Sequence, residues 1–239
     1  MKYKDIFLDF DDTLYDTRGN AAISLHEIFV KYRLDRYFND EHLFAESYWN
    51  ANVILWSMYA KGEVERDFLM VERFRRPLSE GENTDGTPFT PDKELCLSIN
   101  NDFLELNACK EGLVEGAREL VSYLKDKGYR LHICSNGFCE VQYRKLRACG
   151  LYDFFDNIIL SEQAGANKPN KAFFDYALKV AKAERTTTIM VGDNFYTDIT
   201  GAAESGLHTI FFNAHPEAFT APQLANHEVN RLTEIINIL

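Results

Sequence analysis

The spacing of apolar residues changes near residue 110, and that change divides the chain. One short apolar run comes first: Ile6, Phe7 and Leu8 read as a buried strand. From there to about residue 108 the period is helical, with apolar side chains at i, i+3 and i+4 over 21–34 and 41–60. A third helix is expected over 63–75 and a fourth over 91–107. In the second helix Trp49, Val53, Trp56 and Ala60 share one face, which Tyr48, Leu55 and Tyr59 widen. Such a stripe is expected to be the core of a helical bundle, with a pocket for a flat substrate as the alternative. Pro77 and the Gly-, Asn-, Asp- and Thr-rich stretch 79–88 predict a turn or loop. Arg73, Arg75 and Arg76 read as a solvated helix end.

Beyond residue 110 helix and strand alternate. The pattern predicts a helix over 113–127 closed by Gly128, then a strand over 129–134 ending in Ser135-Asn136-Gly137. A helix to about Ala148, a strand over 157–160 and a helix over 170–182 follow. Next come a strand over 187–191 ending in Gly192-Asp193-Asn194, a helix over 197–204, a strand over 207–212 and a terminal helix over 231–238. This alternation implies an α/β fold, a parallel sheet with helices on both faces. In such sheets ligands bind at the carboxyl ends of the strands.

With 46% hydrophobic residues the chain can bury a sizeable core. Its net charge of −11 argues against a nucleic-acid polymer or an anionic membrane as partner, but leaves room for a small anion held by a metal and local cations. The cysteines, Cys96, Cys109, Cys134, Cys139 and Cys149, lack zinc-like pairing and read as free thiols used in packing. No apolar run is long enough to span a membrane, and the N-terminus is too polar for a signal peptide. A reducing cytoplasm is the expected location. No oligomeric state follows from these features.

The first strand runs straight into Asp9, Asp11 and Asp12. Carboxylates at a buried strand end require a compensating charge, and a hard cation such as Mg²⁺ is a suitable one. A lone D-x-D-x-T string is also what an ordinary acidic turn looks like, so its downstream partners decide. Three predicted strands end in polar residues at one sheet edge: Asp9 and Asp11, then Ser135-Asn136, then Asp193. Lys168 lies in a loop able to reach that edge. Acids for a cation, a hydroxyl, a lysine and Gly-flanked turns with free N–H groups are what phosphoryl transfer requires.

Four segments in order, Asp9-Phe10-Asp11-Asp12-Thr13, Ser135-Asn136-Gly137, Lys168-Pro169 and Gly192-Asp193-Asn194-Phe195-Tyr196-Thr197-Asp198, resemble the motifs of the haloacid dehalogenase-like phosphohydrolases. The resemblance covers nearly the whole chain. It implies a doubly wound, Rossmann-like core formed by 1–17 and 109–239, with an all-helical cap domain at 18–108 that closes over the site. It also implies that Asp9 is the nucleophile and Asp11 the acid/base. Asp9, the Asp11 carbonyl and Asp193 would bind Mg²⁺. Ser135, Asn136, Gly137 and Lys168 would hold the phosphate. Thr13 would orient Asp11, and Asp198 would support Lys168 or the metal's water. Asp11 would need a raised pKa to begin protonated.

An acid at position 11 disfavours halide and phosphonate chemistry, because only an ester oxygen must be protonated as it leaves. The segments Asp-Phe-Asp-Asp-Thr-Leu-Tyr-Asp-Thr and Gly-Asp-Asn-Phe-Tyr-Thr-Asp-Ile are similar to those of bacterial pyrimidine 5′-nucleotidases with a helical cap. The expected activity is therefore a Mg²⁺-dependent phosphatase acting on a nucleoside 5′-monophosphate. Another small phosphorylated metabolite, such as a sugar phosphate, is the alternative. A silent phosphate-sensing module is a third reading, which the retained Asp9, Asp11, Lys168 and Asp193 oppose.

Overall fold

The computed structural model describes residues 2–239. Two compact units divide the chain: Met1–Thr17 with Glu111–Leu239, and Arg18–Lys110. The second boundary falls two residues later than the sequence pattern suggested.

The first unit is built on six parallel strands: β1 (Asp5–Leu8), β2 (Arg130–Ser135), β3 (Asn157–Leu160), β4 (Thr188–Gly192), β5 (His208–Phe212) and β6 (His227–Val229). Their order across the sheet is β3-β2-β1-β4-β5-β6. Leu8 lies level with Ile133 of β2 and Val191 of β4, so the residues following all three strands emerge together. The order reverses between β1 and β4, and such a reversal opens a crevice at the carboxyl edge. Successive side chains alternate faces. Ile6 and Leu8 pack with Leu131, Ile133, Ile189 and Val191 on one face, while Phe7, Cys134 and Met190 pack on the other.

In the second unit, α1 (Thr17–Lys31) leads into α2 (Glu41–Ala60), α3 (Arg66–Leu78) and α4 (Lys93–Asn107). Side-chain caps start α2 and α4: Asp40 accepts from the His42 N–H and Asp92 from the Leu95 N–H, each meeting an otherwise unpaired donor. The core gathers Leu25, Ile28, Phe44, Tyr48, Phe74, Ile99 and Phe103. Of the expected stripe on α2 only Tyr48 and Leu55 are fully buried. Phe44, Ser47, Tyr48, Ala51, Asn52 and Leu55 face inward, whereas Val53 is exposed. Large aromatics at 48, 49, 56 and 59 satisfy two helical faces equally well, and only packing selects between them. Arg73 also departs from expectation. It is 5% exposed, hydrogen-bonded to the Tyr48 hydroxyl and set over the Tyr48 and Phe103 rings, while Arg75 and Arg76 pair with Glu72 outside.

The remaining helices flank the sheet: α5 (Ala117–Asp126), α6 (Cys139–Ala148), α7 (Ser161–Ala164), α8 (Lys171–Ala181) and α9 (Gly201–Glu204). Where one helix was expected over 197–204, a π-helical segment, Phe195–Thr200, precedes α9. The terminal helix is a 3₁₀ segment, Leu232–Asn237. Strand β6 escapes the sequence pattern because it is three residues long at a sheet edge, with His227 and Glu228 exposed and only Val229 buried.

Candidate active site

Asp9 is the first residue beyond β1, and its N–H donates to the Val191 carbonyl of β4 at 2.9 Å. The chain then turns back at once. Asp12 sits at φ 60°, a left-handed conformation that Asp tolerates better than most residues, and the Leu14 and Tyr15 N–H groups both donate to the Phe10 carbonyl. The turn sends Asp9 and Asp11 to different partners although only one residue separates them.

Around Asp9 lies a buried ionic centre. The Lys168 ammonium donates to Asp9 Oδ1 and Asp198 Oδ1, both at 2.6 Å. The Thr13 hydroxyl donates to Asp193 Oδ1 at 2.8 Å and accepts from the Asp193 N–H at 3.0 Å. Asp198 reaches the centre because Asn194 caps the π-helical segment, accepting from the Tyr196 and Thr197 N–H groups while its own N–H donates to Asp198 Oδ2. Gly192 makes that approach possible, since a Cβ there would lie 2.3 Å from Asp198 Oδ2. Asn136 fixes Lys168 from the main chain, donating to its carbonyl at 2.9 Å and accepting from its N–H at 2.8 Å.

One ammonium thus bridges two of the three clustered acids. Burial pushes Asp9 up to about 7, against the lowering effect of Lys168. Burial, with Asp9 and Asp198 nearby, raises Asp193 well above the carboxylate range. Lys168 moves up as well, because Asp198 and Asp9 outweigh the opposing effect of its burial. The acids outnumber the cation, so it is the ammonium that is satisfied and the carboxyls that are not. Asp9, Asp193 and Asp198 each place one oxygen within 4.8 Å of the others. Hard oxygen donors short of positive charge fit a divalent cation such as Mg²⁺.

Asp11 is held elsewhere, and by residues that sequence reasoning missed. Its Oδ1 accepts from Lys145 Nζ at 2.6 Å and from the Thr17 hydroxyl at 3.0 Å, and its Oδ2 accepts from Gln142 Nε2 at 2.6 Å. Gln142 Nε2 also donates to Ser135 Oγ at 2.7 Å. Two expectations change. Thr17 rather than Thr13 contacts the Asp11 carboxylate. Burial alone would raise Asp11, but the Lys145 charge and the hydrogen bonds from Lys145, Gln142 and Thr17 bring it below the usual range. The Asp11 side chain is likewise absent from the acid cluster, whose third member is Asp198. Gly137 spends its N–H on Ser135 Oγ at 3.0 Å. A signal for the missed pair was present: Gln142 and Lys145 lie three apart, sharing α6 with Val141 and Leu146, and all four are buried. A polar pair on a buried helix face needs partners.

A family model described as haloacid dehalogenase-like hydrolase matches residues 3–206. The chain is 30% identical over 242 residues to the HAD-hydrolase YfnB of Bacillus subtilis, covering all of this chain and 96% of that one. A YfnB crystal structure bound to magnesium matches with a TM-score of 0.85 at 28% identity, over 100% of this chain and 99% of the other. Pyrimidine 5′-nucleotidase YjjG of Escherichia coli is 32% identical over 216 residues, 90% of this chain and 88% of its own. Glyceraldehyde 3-phosphate phosphatase of Methanothermobacter thermautotrophicus is 29% identical over 222 residues, 88% and 86% of the two chains. The family match runs through the helical insertion as well as the strands whose ends carry the acids. This chain belongs to the haloacid dehalogenase-like hydrolases.

Proposed function

We propose that this protein is a Mg²⁺-dependent phosphomonoester hydrolase that works through an aspartyl-phosphate on Asp9, with a nucleoside 5′-monophosphate as substrate. The observation that carries the reading is the separation of two neighbouring carboxyls into opposite environments. Asp9 lies in a cation-poor acidic centre, and Asp11 lies in a nest of donors. Separate surroundings allow the two acids separate roles: bound Mg²⁺ would favour the ionised, nucleophilic form of Asp9, and a phosphate dianion would favour the protonated form of Asp11.

Asp9, Asp193 and the Asp11 carbonyl would hold Mg²⁺, with Asp198 beside them, and the ion would offset negative charge on the acids and on the phosphoryl oxygens. The Lys168 ammonium and the Ser135 hydroxyl hold the phosphoryl group, while Asn136 keeps Lys168 in place. An Asp9 oxygen attacks phosphorus as the bond to the ester oxygen breaks, and Asp11 gives that oxygen a proton. The arriving phosphate dianion supplies the negative charge that raises the proton affinity of Asp11. In the second half Asp11 takes a proton from water, the hydroxide oxygen attacks phosphorus, and Asp9 departs from inorganic phosphate.

The nucleotide assignment is supported by the motif resemblance and by the similarity to YjjG. Similarity to a glyceraldehyde 3-phosphate phosphatase favours a small sugar phosphate as the second reading. Either substrate is a small phosphorylated metabolite. Five free thiols suit a reducing cytoplasm.

Phosphate release across nucleotides, sugar phosphates and organic-acid phosphates, with Mg²⁺ and with EDTA, tests the proposal. Preference for 5′-UMP, 5′-dUMP or 5′-dTMP is the expected result. Preference for a triose phosphate selects the second reading, and no release from any compound overturns both. Asp9→Asn is expected to lose turnover by at least about 10³-fold while keeping its circular dichroism spectrum. Near-normal activity in that variant removes Asp9 as nucleophile.

A further inference from the structure

We infer that Gln142 and Lys145, neither assigned a role by the motifs, are positioning residues that hold Asp11 in register with the phosphate-binding Ser135. The inference rests on the proposed role of Asp11 and goes beyond it, because the residues lie on a different element, α6.

Their geometry is specific. Residues three apart on a helix project from one face, and here both reach the same carboxylate from different sides. Lys145 Nζ lies 2.6 Å from Asp11 Oδ1, and Gln142 Nε2 lies 2.6 Å from Oδ2. With Thr17 on Oδ1, the carboxylate is fixed at both oxygens and cannot rotate without losing a donor. Lys145 is 5% exposed and packs 4.6 Å above the centroid of the Tyr15 ring. Its long side chain is thereby confined rather than left to sample water.

Gln142 does a second thing. Its Nε2 and the Gly137 N–H both donate to Ser135 Oγ, at 2.7 and 3.0 Å. A hydroxyl has two acceptor positions, so both are filled and its own hydrogen must point to a further acceptor. Ser135 is therefore set as a donor, the role a phosphoryl oxygen requires. Two features show that the amide is held for its NH₂ end. Gln142 is 1% exposed, and its Oε1 finds no partner among the described residues. Gly137 leaves the space, since a Cβ there would meet Gln142 Nε2 at 2.2 Å.

A comparison of two leaving groups tests the inference. An alkyl phosphate needs its departing oxygen protonated, whereas p-nitrophenolate leaves without a proton. Wild type, Lys145→Met, Lys145→Arg, Gln142→Leu and Asp11→Asn would be assayed with 5′-UMP, or with whichever alkyl phosphate the panel ranks highest, and with p-nitrophenyl phosphate in stopped flow. Far-UV circular dichroism and melting curves would confirm folding. Lys145→Met and Gln142→Leu are expected to lower kcat for the alkyl ester roughly 10–100-fold, with KM within about threefold in Lys145→Met. In Lys145→Met the pre-steady-state burst of p-nitrophenol should stay within about threefold of wild type while its steady-state rate falls, whereas Gln142→Leu, which also releases Ser135, should lose part of the burst. Lys145→Arg should recover at least part of the alkyl rate.

Folded Lys145→Met and Gln142→Leu variants with wild-type kcat on the alkyl ester would overturn the inference, as would equal losses in Lys145→Met on the alkyl rate and the p-nitrophenol burst. Asp11→Asn decides the parent reading separately. If it hydrolyses the alkyl ester as fast as wild type, the acid/base assignment fails first. If it shows the leaving-group split and Lys145→Met does not, only the positioning role fails.

Discussion

At the scale of single residues the site depends on glycines and charges that have no slack. Gly137 is required by what lies over it: any Cβ must displace the Gln142 amide that bridges Asp11 and Ser135. Gly137→Ala is therefore expected to cut turnover about 10–100-fold while costing only about 1–2 kcal/mol of stability, checked by kinetics alongside denaturant melts. Lys168 is a different case. Its removal leaves Asp198, fully buried, without its cation. Lys168→Met should abolish activity and lower stability by about 3–5 kcal/mol, because breaking a buried pair strands the remaining charge. A melting temperature equal to wild type would show that the site redistributes protons at little cost.

Elements set these contacts by their close approach. Helix α9 begins at Gly201 against the Lys168–Pro169 loop, and a Cβ on Gly201 would sit 2.6 Å from Pro169 Cα and 2.8 Å from its carbonyl oxygen. Backbone cannot yield as a flexible side chain does. Gly201→Ala should destabilise by about 1–3 kcal/mol and weaken activity through Lys168, and unchanged values for both would show that the loop adjusts freely. In the helical unit Asp92 caps α4. Asp92→Ala should cost about 1 kcal/mol in chemical denaturation without altering kcat.

For the molecule as a whole, the acidic centre makes stability depend on pH. Asp9 and Asp193 bind protons more tightly folded than unfolded, so above their unfolded value of 3.8, and up to about 7 for Asp9, stability falls as pH rises. His132 works oppositely. Burial holds it below 6.5 despite its bond to Asp5, so its contribution is lost as pH falls below 6.5. Asp11, held low, retains its contribution until the solution is more acidic than about its unfolded value of 3.8. Comparing metal-free wild type with metal-free Asp193→Asn between pH 5 and 8 isolates the acidic centre. The variant should gain on wild type as pH rises, by roughly 5–10 °C in melting temperature at pH 8, and added Mg²⁺ should narrow that gap. A pH-independent difference would mean that the acids ionise without mutual penalty.

Much of this was legible in the sequence. The change of apolar period near residue 110 and the strand ends at Asp9, Ser135 and Asp193 follow from local pattern, because burial of a two-residue or 3.6-residue repeat leaves its mark on every turn. Asp9, Asp11 and Asp193 could be picked out because charge at the end of an apolar run is conspicuous, whereas Lys168 stood out by its loop before a helix and Asp198 by the family's motif. Which side of α2 is buried, that Arg73 lies among aromatic rings, that β6 pairs at the edge, and that Gln142 and Lys145 seize Asp11 were decided only in three dimensions. Each depends on groups far apart in the chain, and Lys145 lies 134 residues from Asp11. Local propensity says nothing about such partners. The opposite shifts of Asp9 and Asp11 arise for the same reason: two identical side chains two residues apart differ only in what the fold brings to them.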